Sequence, residues 1–148
     1  MMSTADALLL DTNVLVYALD ESSPYHAACR RILDSAQSPD ANLKLSPQSL
    51  AEFFSVVTNP RRVAFPKSTA EAISAVEMIL ALPGIEVLPV PLDVVSRWLE
   101  LCRQREVKGG AIYDMQLLAV MLANDIRRVC TYNRADFEWI ADIAVMVP

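Results

Sequence analysis

An α/β domain built on a mostly parallel sheet is the fold class that this 148-residue sequence predicts. Short apolar runs of strand character alternate with longer segments whose apolar residues recur at helical spacing, and parallel strands need such helical crossovers between them. The chain also has no repeat, low-complexity tract or long linker, and its length suits one core better than two, so residues 1–148 read as a single domain. Hydrophobic residues make up 53% and charged residues 21%, a balance that fills an interior and excludes the disordered class.

Ala7 to Leu10 reads as a buried strand ending at Asp11, and Thr12 to Leu19 as a short helix. Ser23 is placed to cap a second helix with Pro24 in its first position, where Tyr25, Ala28, Cys29, Ile32, Leu33 and Ala36 recur at helical spacing. Leu43 to Leu45 is strand-like, and Ser46-Pro47 opens a helix running to about Thr58, where Asn59-Pro60 stops it. Ser68 and Glu71 form a capping-box pattern for a helix that Pro83-Gly84 terminates. Ile85 to Leu88 is the next strand, and Leu92, Val95, Leu99 and Cys102 mark another helix. Gly109-Gly110 turns the chain into a helix over Ile112 to Ala123. A strand at Val129 to Thr131, a polar turn at Asn133 to Asp136, a short Phe137 to Ile140 segment and an apolar run at Val145 to Val147 complete the chain.

Cys29, Cys102 and Cys130 lie far apart without a C-x-x-C pair, which suggests neither a disulfide framework nor a zinc knuckle and suits the cytoplasm. No basic stretch precedes the first apolar run, and no segment approaches the roughly 18 uninterrupted apolar residues of a membrane helix, so neither export nor a membrane span is expected. A net charge of -5 argues against a general polyanion binder, yet Arg30-Arg31, Arg61-Arg62 and Arg127-Arg128 remain available to line a groove.

Ligands of open parallel sheets bind at the carboxyl ends of the strands. Asp11-Thr12-Asn13 and Asn133 to Asp136 each follow a strand-like run. Asp11 in that position is more commonly a helix cap than a ligand. Asp114 heads a stripe with Leu117, Leu118, Met121 and Leu122, so a carboxylate there faces the core or caps the helix start. Glu52 shares its helix face with Gln48, Ser49, Ser55 and Asn59 and reads on pattern as a solvated residue. Asn133 and Asp136 fit an ordinary turn. His26 has no apparent carboxylate or cysteine partner, Trp98 and Trp139 read as packing residues, and neither glycine-rich nucleotide-cradle motif is present.

Four stretches in order resemble the PIN-domain family and, within it, the VapC-like toxins of VapBC toxin–antitoxin pairs. They are the apolar strand and D-T-N-V-L-V-Y run from Leu8 to Ala18, the glutamate helix Ser49 to Phe54 with Thr58-Asn59-Pro60-Arg61, the stretch Tyr113 to Ala119, and Thr131 to Phe137. The resemblance covers nearly the whole chain. It implies a three-layer α/β/α domain whose distant acids converge at one end of the sheet, with Asp11, Glu52 and Asp114 matching the central three. Many relatives carry an aspartate two residues after the threonine of the last stretch, where this chain has Asn133; Asp136 is then the candidate fourth acid. The activity implied is Mg²⁺-dependent endoribonuclease cleavage, with Mn²⁺ substituting, since clustered carboxylates need a hard cation. Asp11 and Asp114 are the principal ligands in this reading, Glu52 is a ligand or base, Asn133 and Asp136 support a second ion, and Thr131 orients a carboxylate. The implied partners are RNA, a VapB-like antitoxin whose tail docks in the groove, and a second copy of the chain. Two alternatives stand beside it: a PIN-like scaffold without turnover, and a haloacid-dehalogenase-like phosphatase, which needs a second aspartate where Asn13 stands.

Overall fold

A computed structural model describes residues 6–148. The expectation of no export signal falls largely on Met1 to Ala5, which lie outside the described residues. The strands are β1 (Leu8–Leu10), β2 (Leu43–Leu45), β3 (Ile85–Val87), β4 (Arg128–Cys130) and β5 (Ala144–Met146), ordered β3-β2-β1-β4-β5 in one sheet with every pairing parallel. The helices are α1 (Thr12–Ala18), α2 (His26–Ser35), α3 (Pro47–Val57), α4 (Thr69–Leu80), α5 (Val94–Cys102) and α6 (Ala111–Ala123). This is the expected three-layer α/β/α arrangement, with a fully parallel sheet.

The strand period of two explains the layers. Leu8 and Leu10 enter a core with α1 to α4, whereas Ala7 and Leu9 enter the opposite core with α5 and α6. From β1 the chain first builds outward through β2 and β3, then returns to lay β4 and β5 on the other side of β1. Sheet order therefore reverses between β1 and β4, and their carboxyl ends diverge into a crevice.

Local signals set most helix starts. The Ser46 hydroxyl accepts from the Gln48 N–H at 3.3 Å with Pro47 in the first turn, and the Ser68–Glu71 box is closed in both directions. Two expectations are corrected. Helix α2 begins at His26, because Ser23 to Tyr25 form a turn in which the Ser23 hydroxyl accepts from the Tyr25 N–H. Gly84 does not terminate α4, which ends at Leu80; instead Gly84 is buried where an added Cβ would collide with the Ser38 carbonyl and lie 2.9 Å from the Ala36 Cα. The helix marked by Leu92, Val95, Leu99 and Cys102 is α5; Leu92, Val95 and Leu99 are exposed, while Val94, Trp98, Leu101 and Cys102 pack on the core. The segment carries two apolar stripes, and the one with the larger indole turns inward.

Candidate active site

Asp11 follows β1 directly and is pinned on three sides. Its backbone N–H donates to the Cys130 carbonyl of β4 at 3.0 Å, Oδ1 accepts from the Thr12 N–H at 2.8 Å, and Oδ2 accepts from the Thr131 hydroxyl at 2.7 Å. The cap and ligand readings are thus compatible, since α1 uses one carboxylate oxygen and the crevice holds the other. Thr131 is fully buried, and its hydroxyl also accepts from the Asn133 N–H at 2.9 Å, linking the turn after β4 to Asp11.

Glu52 is half-buried, contrary to the solvated reading of its helix face. Packing of α3 against α1 brings its Oε2 to the Thr12 hydroxyl at 3.0 Å, while Oε1 accepts from the Gln48 side-chain amide at 2.7 Å. The same Gln48 nitrogen donates to the Tyr113 carbonyl at 2.9 Å and so ties α3 to the start of α6. Asp114, one residue on, is half-buried in the first turn of α6.

Asp11, Glu52, Asp114 and Asn133 line one cavity of about 720 Å³, together with Thr12, Asn13, Tyr17, Gln48, Arg62 and Tyr113. Asp136, in the single turn Arg134–Asp136, is not part of that lining, although its charge acts on both aspartates. Desolvation pushes the Asp114 carboxyl up to about 6, helped by the charges of Asp136, Asp11 and Glu52 and opposed by Arg105. Burial likewise raises Asp11, against the pull of the Thr131 hydroxyl and the Thr12 N–H, and with a further push from Glu52 and Asp136. A site in which neighbouring carboxylates raise two aspartates attracts positive charge.

The donor set suits a hard divalent cation, being made of carboxylate and amide oxygens, and the Asn13 Oδ1 is buried in the cavity wall without a hydrogen-bond partner. The fit is one of chemistry before geometry: among the described residues no three carboxylate, histidine or cysteine side chains are grouped closely enough to hold an ion together as they stand. The acids share a cavity, not a point, because Asp11 and Glu52 are each turned onto protein donors.

Gln48, Tyr17 and Arg105 join the site without having been candidates on sequence. Gln48 had a legible signal, lying one turn before Glu52 on the same face. Arg105 had none, for it reaches Asp114 only through the fold, where its guanidinium also sits 4.9 Å from the Trp139 ring centre. His26 is structural, with Nδ1 at 2.9 Å from the Tyr17 carbonyl, and Trp139 donates its indole N–H to the Asp136 carbonyl. Of the arginine pairs, Arg62 reaches the cavity, whereas Arg30 and Arg127 are engaged with Asp34 and Asp125.

The PIN-domain family model matches residues 8–143. Ribonuclease VapC43 of Mycobacterium tuberculosis is 34% identical over 118 residues, 80% of each chain. Among solved structures, Mycobacterium tuberculosis VapC20, a sarcin-ricin loop cleaving toxin, superposes with a TM-score of 0.66 at 17% identity, covering 88% of this chain and 92% of the other. The VapBC2 structure from Rickettsia felis, bound to a promoter DNA fragment, gives 0.65 at 18% identity, covering 96% and 98%. The phosphatase alternative falls with this match, and with β1, its trailing Asp11, the α3 glutamate and the acid of α6 all inside the matched span, the chain belongs to the PIN-domain family.

Proposed function

We propose that this protein is a metal-dependent endoribonuclease, the toxin of a VapBC-like pair. The observation that carries the reading is the cavity at the β1–β4 reversal, which three mutually repelling carboxylates line. The 34% identity to a protein named a ribonuclease supports the same activity. Asp11 and Asp114 would hold Mg²⁺ or Mn²⁺, and Asn133 and Asp136 would support a second ion. A divalent cation bound there supplies Lewis acidity towards a phosphate oxygen and cancels the repulsion among the acids. The chain itself provides the rest. Glu52, held by Thr12 and Gln48, has the position to accept a proton from an attacking water, and Thr131 keeps the Asp11 carboxylate oriented. Arg62 on the cavity wall offers a guanidinium to a phosphate.

The test is cleavage of single-stranded RNA with Mg²⁺ or Mn²⁺ and with EDTA. Asp11→Asn should remove cleavage, as EDTA should; full activity in that variant or in EDTA would defeat the assignment. The scaffold alternative predicts no cleavage by the wild type and no Mn²⁺ binding by calorimetry.

A VapB-like antitoxin is the proposed partner, supported by the likeness to VapC folds solved within VapBC complexes. Self-association belongs to the same reading, and exposed Leu92, Val95 and Leu99 supply apolar surface for it. A cytoplasmic location is supported by three free cysteines, and no helix among the described residues is long and apolar enough to cross a membrane.

A further inference from the structure

Next to the acidic cavity stands a cluster of tyrosines that the chemistry above does not use. We propose that Tyr17, Tyr25 and Tyr132 form a stacking subsite for one unpaired nucleobase of single-stranded RNA; this rests on the reading of the cavity as a ribonuclease site.

Placement is the first argument. Tyr17 lines the cavity itself, and Tyr132 immediately precedes Asn133, which lines it too. The Tyr25 ring lies 5.1 Å from Tyr17 and 4.5 Å from Tyr132, centre to centre, so it stands one ring away from the cavity wall.

Rigidity is the second. The third pair, Tyr17 and Tyr132, meets edge-on at 5.7 Å, the Tyr132 hydroxyl is 3.7 Å from the Cys29 sulfur, and the Tyr17 carbonyl is held at His26. Rings fixed before binding lose little freedom when a base arrives.

Exposure and charge complete the case. Tyr25 keeps 45% of its surface open although two rings pack against it, so the cluster is reached from solvent at this residue. A chain of net charge -5 with acids in its cavity has little general attraction for a polyanion. Stacking on a neutral ring supplies affinity that does not depend on phosphate, and it requires the splayed bases of a single strand.

The experiment uses the full-length protein and a fluorescein-labelled, cleavage-resistant 2′-O-methyl hexanucleotide, read by anisotropy, alongside the same oligomer with an abasic residue walked through each position. Tyr25→Ala should weaken binding of the intact oligomer by about tenfold, the loss expected for one stacked base. One abasic position should weaken wild-type binding to a similar extent and be insensitive to Tyr25→Ala. Tyr25→Phe should bind as the wild type does, and Tyr25→Leu as weakly as Tyr25→Ala; if the alanine variant misfolds, the Phe and Leu pair decides. Undiminished binding in Tyr25→Leu, equal losses for all abasic positions, or no binding by the wild type would each overturn the proposal. No cleavage is read, so inactive protein that still shows the Tyr25 dependence would defeat the nuclease reading and spare the stacking site.

Discussion

Replacing Asp114 by Asn should make the metal-free protein more stable while abolishing its proposed activity. In the folded chain this carboxyl is pushed up to about 6 from an ordinary 3.8, mainly by desolvation and then by Asp136, Asp11 and Glu52. At about 1.36 kcal/mol per pKa unit the shift corresponds to roughly 3 kcal/mol against folding at neutral pH. The side chain is half open to water, so screening reduces that figure to about 1 kcal/mol. A gain of this size raises the melting temperature of such a chain by about 2–4 °C. The sign follows from linkage. Below pH 3.8 Asp114 is protonated in both folded and unfolded chains, and the variant has no advantage. As pH rises through about 6 the wild type must ionise a disfavoured carboxyl and loses stability that the asparagine variant keeps. The assay is thermal unfolding by circular dichroism in EDTA from pH 4 to pH 7.5, repeated with millimolar Mn²⁺, which should restore wild-type stability and leave the variant unchanged. A variant no more stable than wild type at neutral pH, or a difference that does not grow with pH, would refute the reasoning.

Three further outcomes follow from individual contacts. Thr131→Val removes the hydroxyl that Asp11 and the Asn133 N–H share, at a cost of about 1.5–3 kcal/mol in urea unfolding; an unchanged midpoint would show that the bond contributes nothing. Arg62→Ala should weaken binding of single-stranded RNA and reduce the slope of affinity against salt by about 1, measured by filter binding at several KCl concentrations. Gly84→Ala should destabilise by about 1–3 kcal/mol, since its Cβ meets backbone and not a side chain that can rotate away; differential scanning calorimetry checks it.

Several features were legible because neighbouring residues encode them. The Ser46-Pro47 and Ser68–Glu71 starts, the apolar run of β1 and the strand-end position of Asp11 all depend on groups within four residues of one another. Glu52 was legible through the resemblance of its stretch and not from its helix pattern. Its helical neighbours are polar and describe a solvated face, and only the packing of α3 on α1 turns that face into a cavity wall. In α5 periodicity reports that an apolar stripe exists but not which of two stripes the core takes.

From its sequence alone the protein's element types, their order, its parallel sheet and its acidic candidates could be read, since propensity, capping and periodicity are short-range. Tertiary structure decided which acids share a cavity and how each is held. The hydrogen bond from Thr12 to Glu52 spans 40 positions and that from Thr131 to Asp11 spans 120. The first exists because α3 packs on α1 and the second because β4 pairs with β1, and both packings come from how the whole chain buries its apolar faces.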